Sequence, residues 1–554
     1  MPDDRHITHP NTRDLPHSAK ELATGWVQRS RKEITMFKSD EEISSVDSFH
    51  SSTLDNPSYP TPPSPAGEKG FAKYWPIITT GAGLFSDGYV NNSISTASTC
   101  LSKIYGKQYT NSNAIQNVSS IAFAGTVVGQ LAFGYIADYH SRKTAMIVGT
   151  LILILFSILC AGAWGVGTTG TEAGGLFAAI TAYRFFLGIG IGSEYPAGST
   201  AAAEASNLLP AGKRNRWFCW FTNFMIDMGF VISAVVPVIL LKICGTSHLS
   251  PVWRITMGLG AIPPISLFFL RLKYNEGEQY QKTKFTHVIP YWKVVKFYWF
   301  RLTIVSIIWF LYDFSAYAFG TYSSLILSII LGDDTSIVKS FGWNVVFNLF
   351  YIPGAFLGAI FADYWGPRVT LATGVTLQAV VGFIMAGCFE NLRKHIGAFV
   401  VVYGIFMTLG EFGPGDNIGV LASKTCATPI RGHYYGITAA VGKVGAFVGT
   451  YVFPSIIRKA GGFDSTSGLQ APYWVASSLC CFSALLALFL LPSVDQDAIV
   501  AEDRKFLEYL ESTGYNITEL GVHHDEYAEK VSTSHISTSD DSKNQKDNIV
   551  VHEQ

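Results

Sequence analysis

Between residues 75 and 491 the chain carries twelve apolar segments, each about 20 residues long, and no other feature restricts its fold as tightly. Their approximate spans are 75–99, 114–137, 144–166, 175–200, 217–243, 252–272, 300–330, 341–362, 369–389, 396–422, 434–457 and 472–491. A segment of that length crosses the hydrocarbon of a bilayer as one helix, so the chain reads as an all-α membrane protein with twelve transmembrane helices. The third and the last are the plainest. The first, fourth and tenth are more polar and richer in glycine, as helices facing a cavity are.

Charge is distributed to match. Residues 1–70 and 495–554 carry 19 charged side chains each, out of 81 in the chain. The membrane core therefore holds about one charge in ten residues, far below the roughly 25% of a soluble domain. This balance excludes a soluble enzyme, a secreted disulfide scaffold and a nucleic-acid binder. Segment 1–70 is rich in Ser, Asp, Glu and Pro and reads as a disordered tail. The acidic tail, 493–554, has one amphipathic piece, Asp503 to Tyr509. No cleavable leader is expected, since the first apolar stretch begins near Trp75.

Orientation follows from the loops. Those after even-numbered segments hold 15 Lys and Arg, against 9 after odd-numbered ones. Positive residues stay inside, which places both tails in the cytoplasm. Seven of the fifteen (Arg271, Lys273, Lys282, Lys284, Lys293, Lys296 and Arg301) cluster in and around a basic central loop, 273–299. That loop divides the core into two six-helix halves, 71–272 and 300–492. The halves repeat. Asp138-Tyr139 recurs as Asp363-Tyr364, Asp87 as Asp313, Glu194-Tyr195-Pro196 as Glu411-Phe412-Gly413-Pro414, and Asp227-Met228-Gly229 as Lys443-Val444-Gly445. Repeated halves are the architecture of a transporter that rocks around a central site.

Ionisable groups within a membrane cost about 2.5–3.5 kcal/mol each, so each needs a partner or a task. The deep ones are Asp87, Arg184, Glu194, Asp227, Asp313, Glu411, Asp416 and Lys443. Six acids against two bases predict that some carboxylates bind protons, which is what proton coupling requires; static ion pairing is the alternative. Asp227 and Lys443, on repeat-related helices, are expected to face each other, either as a salt bridge or with Lys443 holding an anionic substrate. Arg184 reads as a brace between helices. Asp138 with Arg142, and Asp363 with Arg368, lie at cytoplasmic helix ends and read as gate latches.

Other motifs carry less. Gly188-Ile189-Gly190-Ile191-Gly192 lies inside an apolar helix with no strand before it, so close helix packing explains it better than a dinucleotide. Gly442-Lys443 lacks the Ser or Thr of a phosphate loop. The core histidines sit at helix ends or in loops without paired metal-ligand spacing. No enzyme, metal or cofactor is expected, apart from the proton as coupling ion.

The Asp-x-x-Ser-Arg pattern after segment 2 and its counterpart Asp-x-x-Gly-x-Arg after segment 8, with Arg184-x-x-x-Gly188-x-Gly190, resemble the major facilitator superfamily. Gly188 to Pro196, Trp309 to Asp313 and Tyr435 to Lys443 are similar to the helix 4, 7 and 11 motifs of its phosphate:proton symporters. The resemblance implies proton coupling by Asp87, Glu194 and Asp313, and a phosphate site lined by Tyr195, Trp309 and Lys443, with Asp313 and Asp227 alongside. Glu194 stands where that branch usually has Asp, and Gly415 where it has Asn. These departures, with Lys424-Thr425 and Arg431 to Tyr435, look like the fungal glycerophosphoinositol and glycerophosphodiester permeases. The implied protein is a plasma-membrane importer, active as a monomer, of a small anionic organic phosphate. Its rivals are an inorganic phosphate symporter, an organic-anion exporter and a non-transporting nutrient sensor.

Overall fold

The computed structural model describes residues 19–36, 74–110, 112–209, 212–285, 288–331, 336–463, 465–494, 498–516 and 520; the other parts of the two tails lie outside the described residues. The chain forms α1 (Ala19–Met36), then Trp75–Gly81 and a 3-10 turn, Ala82–Leu84, that lead into α2 (Phe85–Tyr105). There follow α3 (Ala114–Tyr139), α4 (Arg142–Ala161), α5 (Leu176–Asn207), α6 (Arg214–Cys244), α7 (Leu249–Leu272) and α8 (Tyr291–Leu331). The second set is α9 (Ile337–Tyr364), α10 (Pro367–Gly387), α11 (Ile396–Lys424), α12 (Thr428–Lys459) and α13 (Thr466–Phe489). The chain closes with α14 (Ala498–Ser512).

Eleven of these helices, α3 to α13, are long and apolar enough to cross a membrane. The first expected span is helical as well, but α2 is too polar to join them. Asp87, Asn91, Asn92, Ser93, Ser95 and Thr96 are all buried on it. Such residues enter a bundle only where they face its interior. By contrast α4 exposes Val148, Leu151, Leu155 and Ile158, an apolar stripe that a bilayer covers.

Small residues set the helix spacing. Gly125 and Gly129 on α3 face Gly188 and Gly192 on α5. A Cβ at Gly192 would come within 2.6 Å of the Thr126 carbonyl oxygen, and one at Gly129 within 3.0 Å of the Gly192 Cα. The glycine-rich run of α5 is thus a packing surface. Arg184, one turn before it, donates to the carbonyls of Val118 (2.9 Å) and Val90 (3.3 Å), bracing α3 and α2 as expected.

Three expectations about the connections are corrected. The tail 1–70 is not wholly disordered, because α1 docks against the second half. Trp26 packs edge-on against Phe489, and Arg368 donates to Ser30 Oγ (3.0 Å) and Glu33 Oε1 (3.1 Å). Burial lifts the Glu33 carboxyl above its ordinary value, and the Arg368 guanidinium partly offsets this. Composition averaged over 70 residues hides one helix whose stability comes from docking. The central loop is shorter than 273–299, since α8 begins at Tyr291 and a short helix occupies Glu278–Thr283. At 41 residues α8 is about 60 Å long, twice the hydrocarbon thickness, so part of it projects beyond the membrane. The projecting part meets α14, where Phe297 and Tyr298 pack on Phe506.

The amphipathic piece of the second tail extends over all of α14, with Ile499, Phe506 and Leu510 buried. Glu502 pairs with Arg301 (3.0 Å), and Asp503 accepts from Thr428 N (2.6 Å) and Oγ1 (2.7 Å). Asp503 thereby caps the turn that opens α12. Asp503→Ala is expected to cost about 1–3 kcal/mol, the value of hydrogen bonds to a charged group, seen as a lower melting temperature of the purified protein in detergent. An unchanged melting temperature would show that the α14 dock is idle.

Candidate functional site

The sequence places its acids by interrupting two helices at matching positions. α5 widens into a π-helical turn at Glu194–Ser199, and α11 does the same at Glu411–Gly415. Each contains a proline, Pro196 and Pro414, whose missing N–H breaks the regular ladder. Such wide turns collect at functional sites. Here each begins with a buried glutamate, at 1% and 3% exposure.

Midway along the bundle lies a cavity between the two halves, with Tyr195, Asp227, Trp309, Asp313 and Lys443 all on its wall. Lys443 is its electrostatic centre. The ammonium stands 3.4 Å from Asp313 Oδ2 and 3.5 Å from Asp87 Oδ2, donates to the Tyr317 hydroxyl, and lies 3.7 Å from the Tyr317 ring centroid. It is also 5.0 Å from the centroid of Tyr195. Asp87 is enclosed by donors: the hydroxyls of Tyr195 and Tyr317 (3.0 Å) and the amide of Asn91. Trp309 packs between Tyr195 (6.2 Å) and Tyr435 (5.5 Å). One base and two acids, all but fully buried, form a compact set whose net charge changes by one with each proton.

Asp227 does not pair with Lys443 as expected. The repeat that relates the two helices brings both to one cavity, but Asp87 and Asp313 stand nearer the ammonium. Asp227 instead lies on the wall with Glu411 and Asp416. Asn223 bridges those two, at 3.0 Å and 3.2 Å, and the Tyr312 hydroxyl donates to Glu411 Oε1 (2.7 Å). Gly415 lines this wall as well. A Cβ there would collide with Glu411 Oε2, so the space left by the side chain is what admits the glutamate.

Glu194 is set apart. Its carboxylate forms a two-pronged pair with Arg271, at 2.6 Å and 2.5 Å, and it is not on the cavity wall. Arg271, at 0% exposure, also donates to Thr150 Oγ1 (2.7 Å). It is therefore a buried partner rather than a loop residue.

Both ends of the cavity are closed. At the end where the tails dock, Asp138 accepts from the backbone of Gly432 (2.8 Å) and His433 (2.6 Å) at the start of α12. Asp363 does the same for Asn215 (3.1 Å) and Arg216 (3.3 Å) at the start of α6. Each carboxylate thus caps a helix of the opposite half, a charge-assisted arrangement favoured by the helix dipole. Arg142 stays 3.7 Å from Asp138 but pairs more closely with Glu204, which also holds Arg431 (2.7 Å). The pairing expected of Asp363 with Arg368 is replaced: Arg216 meets Asp363 (2.6 Å) and Arg368 meets Glu33 of α1. At the far end the contacts are neutral, among them Thr99 with Ser324 (3.1 Å) and Asn92 with Asn348 (3.1 Å). The cavity is occluded between a charged seal and a neutral one.

Sequence reasoning missed Tyr317, Arg271 and Glu204. Tyr317 lies one turn beyond Asp313 on the same face of α8, a spacing that pointed to it. Glu204 and Arg271 carry no local signal, since their partners are far away in the chain.

The model of the Major Facilitator Superfamily matches residues 80–450. The chain is 55% identical over 517 residues to the Major glycerophosphoinositol permease GIT3 of Candida albicans, covering 92% of this chain and 94% of that protein. It is 52% identical to the Glycerophosphocholine permease GIT4 of the same organism, with the same coverage. To the Glycerophosphoinositol transporter 1 of Saccharomyces cerevisiae it is 34% identical, over 79% of this chain and 83% of that one. Among solved structures, the proton:xylose symporter XylE bound to 6-bromo-6-deoxy-D-glucose superposes with a TM-score of 0.63. At 15% identity it covers 78% of this chain and 98% of its own, a likeness of fold. These relatives are permeases and transporters, not enzymes. With its repeated helices, its occluded central cavity and a family match over two thirds of its length, this integral multi-pass membrane protein belongs to the major facilitator superfamily.

Proposed function

We propose that the chain is a proton-coupled importer of glycerophosphodiesters at the plasma membrane, with both tails in the cytoplasm. The observation that carries this reading is Lys443: a buried cation between two carboxylates, on the wall of an occluded cavity. The permease relatives, more than half identical to this chain, supply the substrate class.

The coupling follows from charge. With Asp87, Asp313 and Lys443 all ionised, the set carries one net negative charge. A phosphodiester brings a second into a low-dielectric site, which is unfavourable unless a proton enters with it. Protonation of Asp313 releases Lys443 to meet the phosphate, while Tyr195 and Trp309 shape the pocket around it. Glu194, held by Arg271, contributes to coupling only if that pair opens during the cycle. Asp138 and Asp363 hold the inner gate by capping helices across the halves, with Arg142 beside Asp138 and Arg216 paired with Asp363.

The test is uptake of labelled glycerophosphoinositol and glycerophosphocholine by cells lacking their own permeases. Uptake is expected to collapse with a protonophore and to resist excess inorganic phosphate. No uptake of either diester at normal surface abundance would defeat the reading. Asp313→Asn is expected to flatten the pH profile of uptake, and an unchanged profile would remove Asp313 from the coupling step.

A further inference from the structure

The cavity has a second end that the phosphate does not need. Asp227 is fully buried, lies on the cavity wall, and neither of its carboxylate oxygens has a hydrogen-bond partner. Glu411 and Asp416 line the same end, and among the described residues no Lys, Arg or His stands within 4.0 Å of any of the three. Of the donors beside them, Asn223 is committed to Glu411 and Asp416 and Tyr312 to Glu411, which leaves the Tyr351 hydroxyl as the donor to spare among the described residues of this end. No group of three or more such side chains among the described residues is arranged to hold a metal ion. Two aromatic rings, Phe230 and Tyr351, complete this end with centroids 5.0 Å apart.

Resting on the diester reading above, we propose that this acidic and aromatic end is a head-group subsite that favours a cationic alcohol, the quaternary ammonium of glycerophosphocholine, over a neutral polyol. A polyol both donates and accepts hydrogen bonds, so it is best met by amides and hydroxyls with donors to spare. This end offers acceptors without spare amide donors. A trialkylammonium needs no hydrogen bonds. It is stabilised by negative charge and by the faces of aromatic rings, most strongly where water is excluded. With its phosphate at Lys443 and its ammonium near Asp227, a zwitterionic diester brings the positive charge that lets these crowded buried carboxyls give up a proton and ionise, so that the signs match at both ends of one cavity.

The test compares KM for labelled glycerophosphocholine and glycerophosphoinositol in cells lacking their own permeases, for the wild type, Asp227→Asn and Asp227→Glu, normalised to surface protein. The wild type is expected to prefer glycerophosphocholine. In Asp227→Asn the preference falls by about tenfold or more, the low end of the measured coupling between close charge pairs. Asp227→Glu, which keeps the charge, retains the preference. Equal losses for both diesters in Asp227→Asn, or a wild type that prefers glycerophosphoinositol, overturns the proposal while leaving the diester reading standing. If the wild type takes up neither diester, the diester reading itself fails. If Asp227→Asn does not reach the surface, competition decides with the wild type alone: excess glycerophosphocholine must suppress glycerophosphoinositol uptake more strongly than the reverse.

Discussion

Lys443→Ala is expected to abolish uptake while leaving the protein at the cell surface. The ammonium is the only cation within 4.0 Å of Asp87 and Asp313 among the described residues, and it is 1% exposed. Removing one partner of a buried charge set costs about 2–5 kcal/mol, which as lost binding energy is a roughly 30- to 4000-fold fall in uptake. Two carboxylates then face each other without compensation, so protonation is the only relief and an anion has nothing to bind. Surface biotinylation separates this outcome from misfolding. Normal uptake by Lys443→Ala would remove the phosphate site from this position.

The second large effect is on stability. Arg271→Ala leaves the Glu194 carboxylate buried and unpaired, a loss of about 3–5 kcal/mol. The variant should melt at lower temperature in detergent and reach the surface poorly. Replacing both partners with methionine should cost less than either single change, because apolar side chains of similar size carry no desolvation penalty. Uptake by that double variant also decides the role of Glu194. A folded but inactive protein places Glu194 in the transport cycle. A folded and active one makes the pair structural and leaves the proposed coupling to Asp87 and Asp313.

The parts of the site legible in the sequence are those that the repeat places. Asp87 and Asp313 occupy matching positions, and both lie beside Lys443. Tyr195 and Trp309, carried over from a family resemblance, share its cavity wall. Partner choice was less legible. Asp227 matches Lys443 in register, yet register fixes which helix turn a residue occupies and not which of three nearby carboxylates lies closest. Arg271 was read with the basic loop because it sits at a helix end among lysines. Its burial depends on Glu194, 77 positions away, and on Thr150, 121 away. The polar α2 was recognised as cavity-facing for a sound reason, whereas α1 was lost in the average of a polar tail. Its signal, Trp26 and Glu33 on an 18-residue helix, has meaning only beside Phe489 and Arg368.

That long-range dock has a consequence for biogenesis. Glu33 and Arg368 are 335 positions apart. At a synthesis rate of roughly 5–20 residues per second, Arg368 emerges about 20–70 s after Glu33. Throughout that interval the first helix of the nascent protein lacks this partner, and the turn that opens α12 then waits about 4–15 s for Asp503, 75 positions further on. The two ends of the polypeptide therefore report on its middle: a product that stops before Arg368 leaves the first helix without its ion pair, and one that stops between Thr428 and Asp503 leaves the turn uncapped. A finished chain and an unfinished one thus differ in parts that lie outside the membrane.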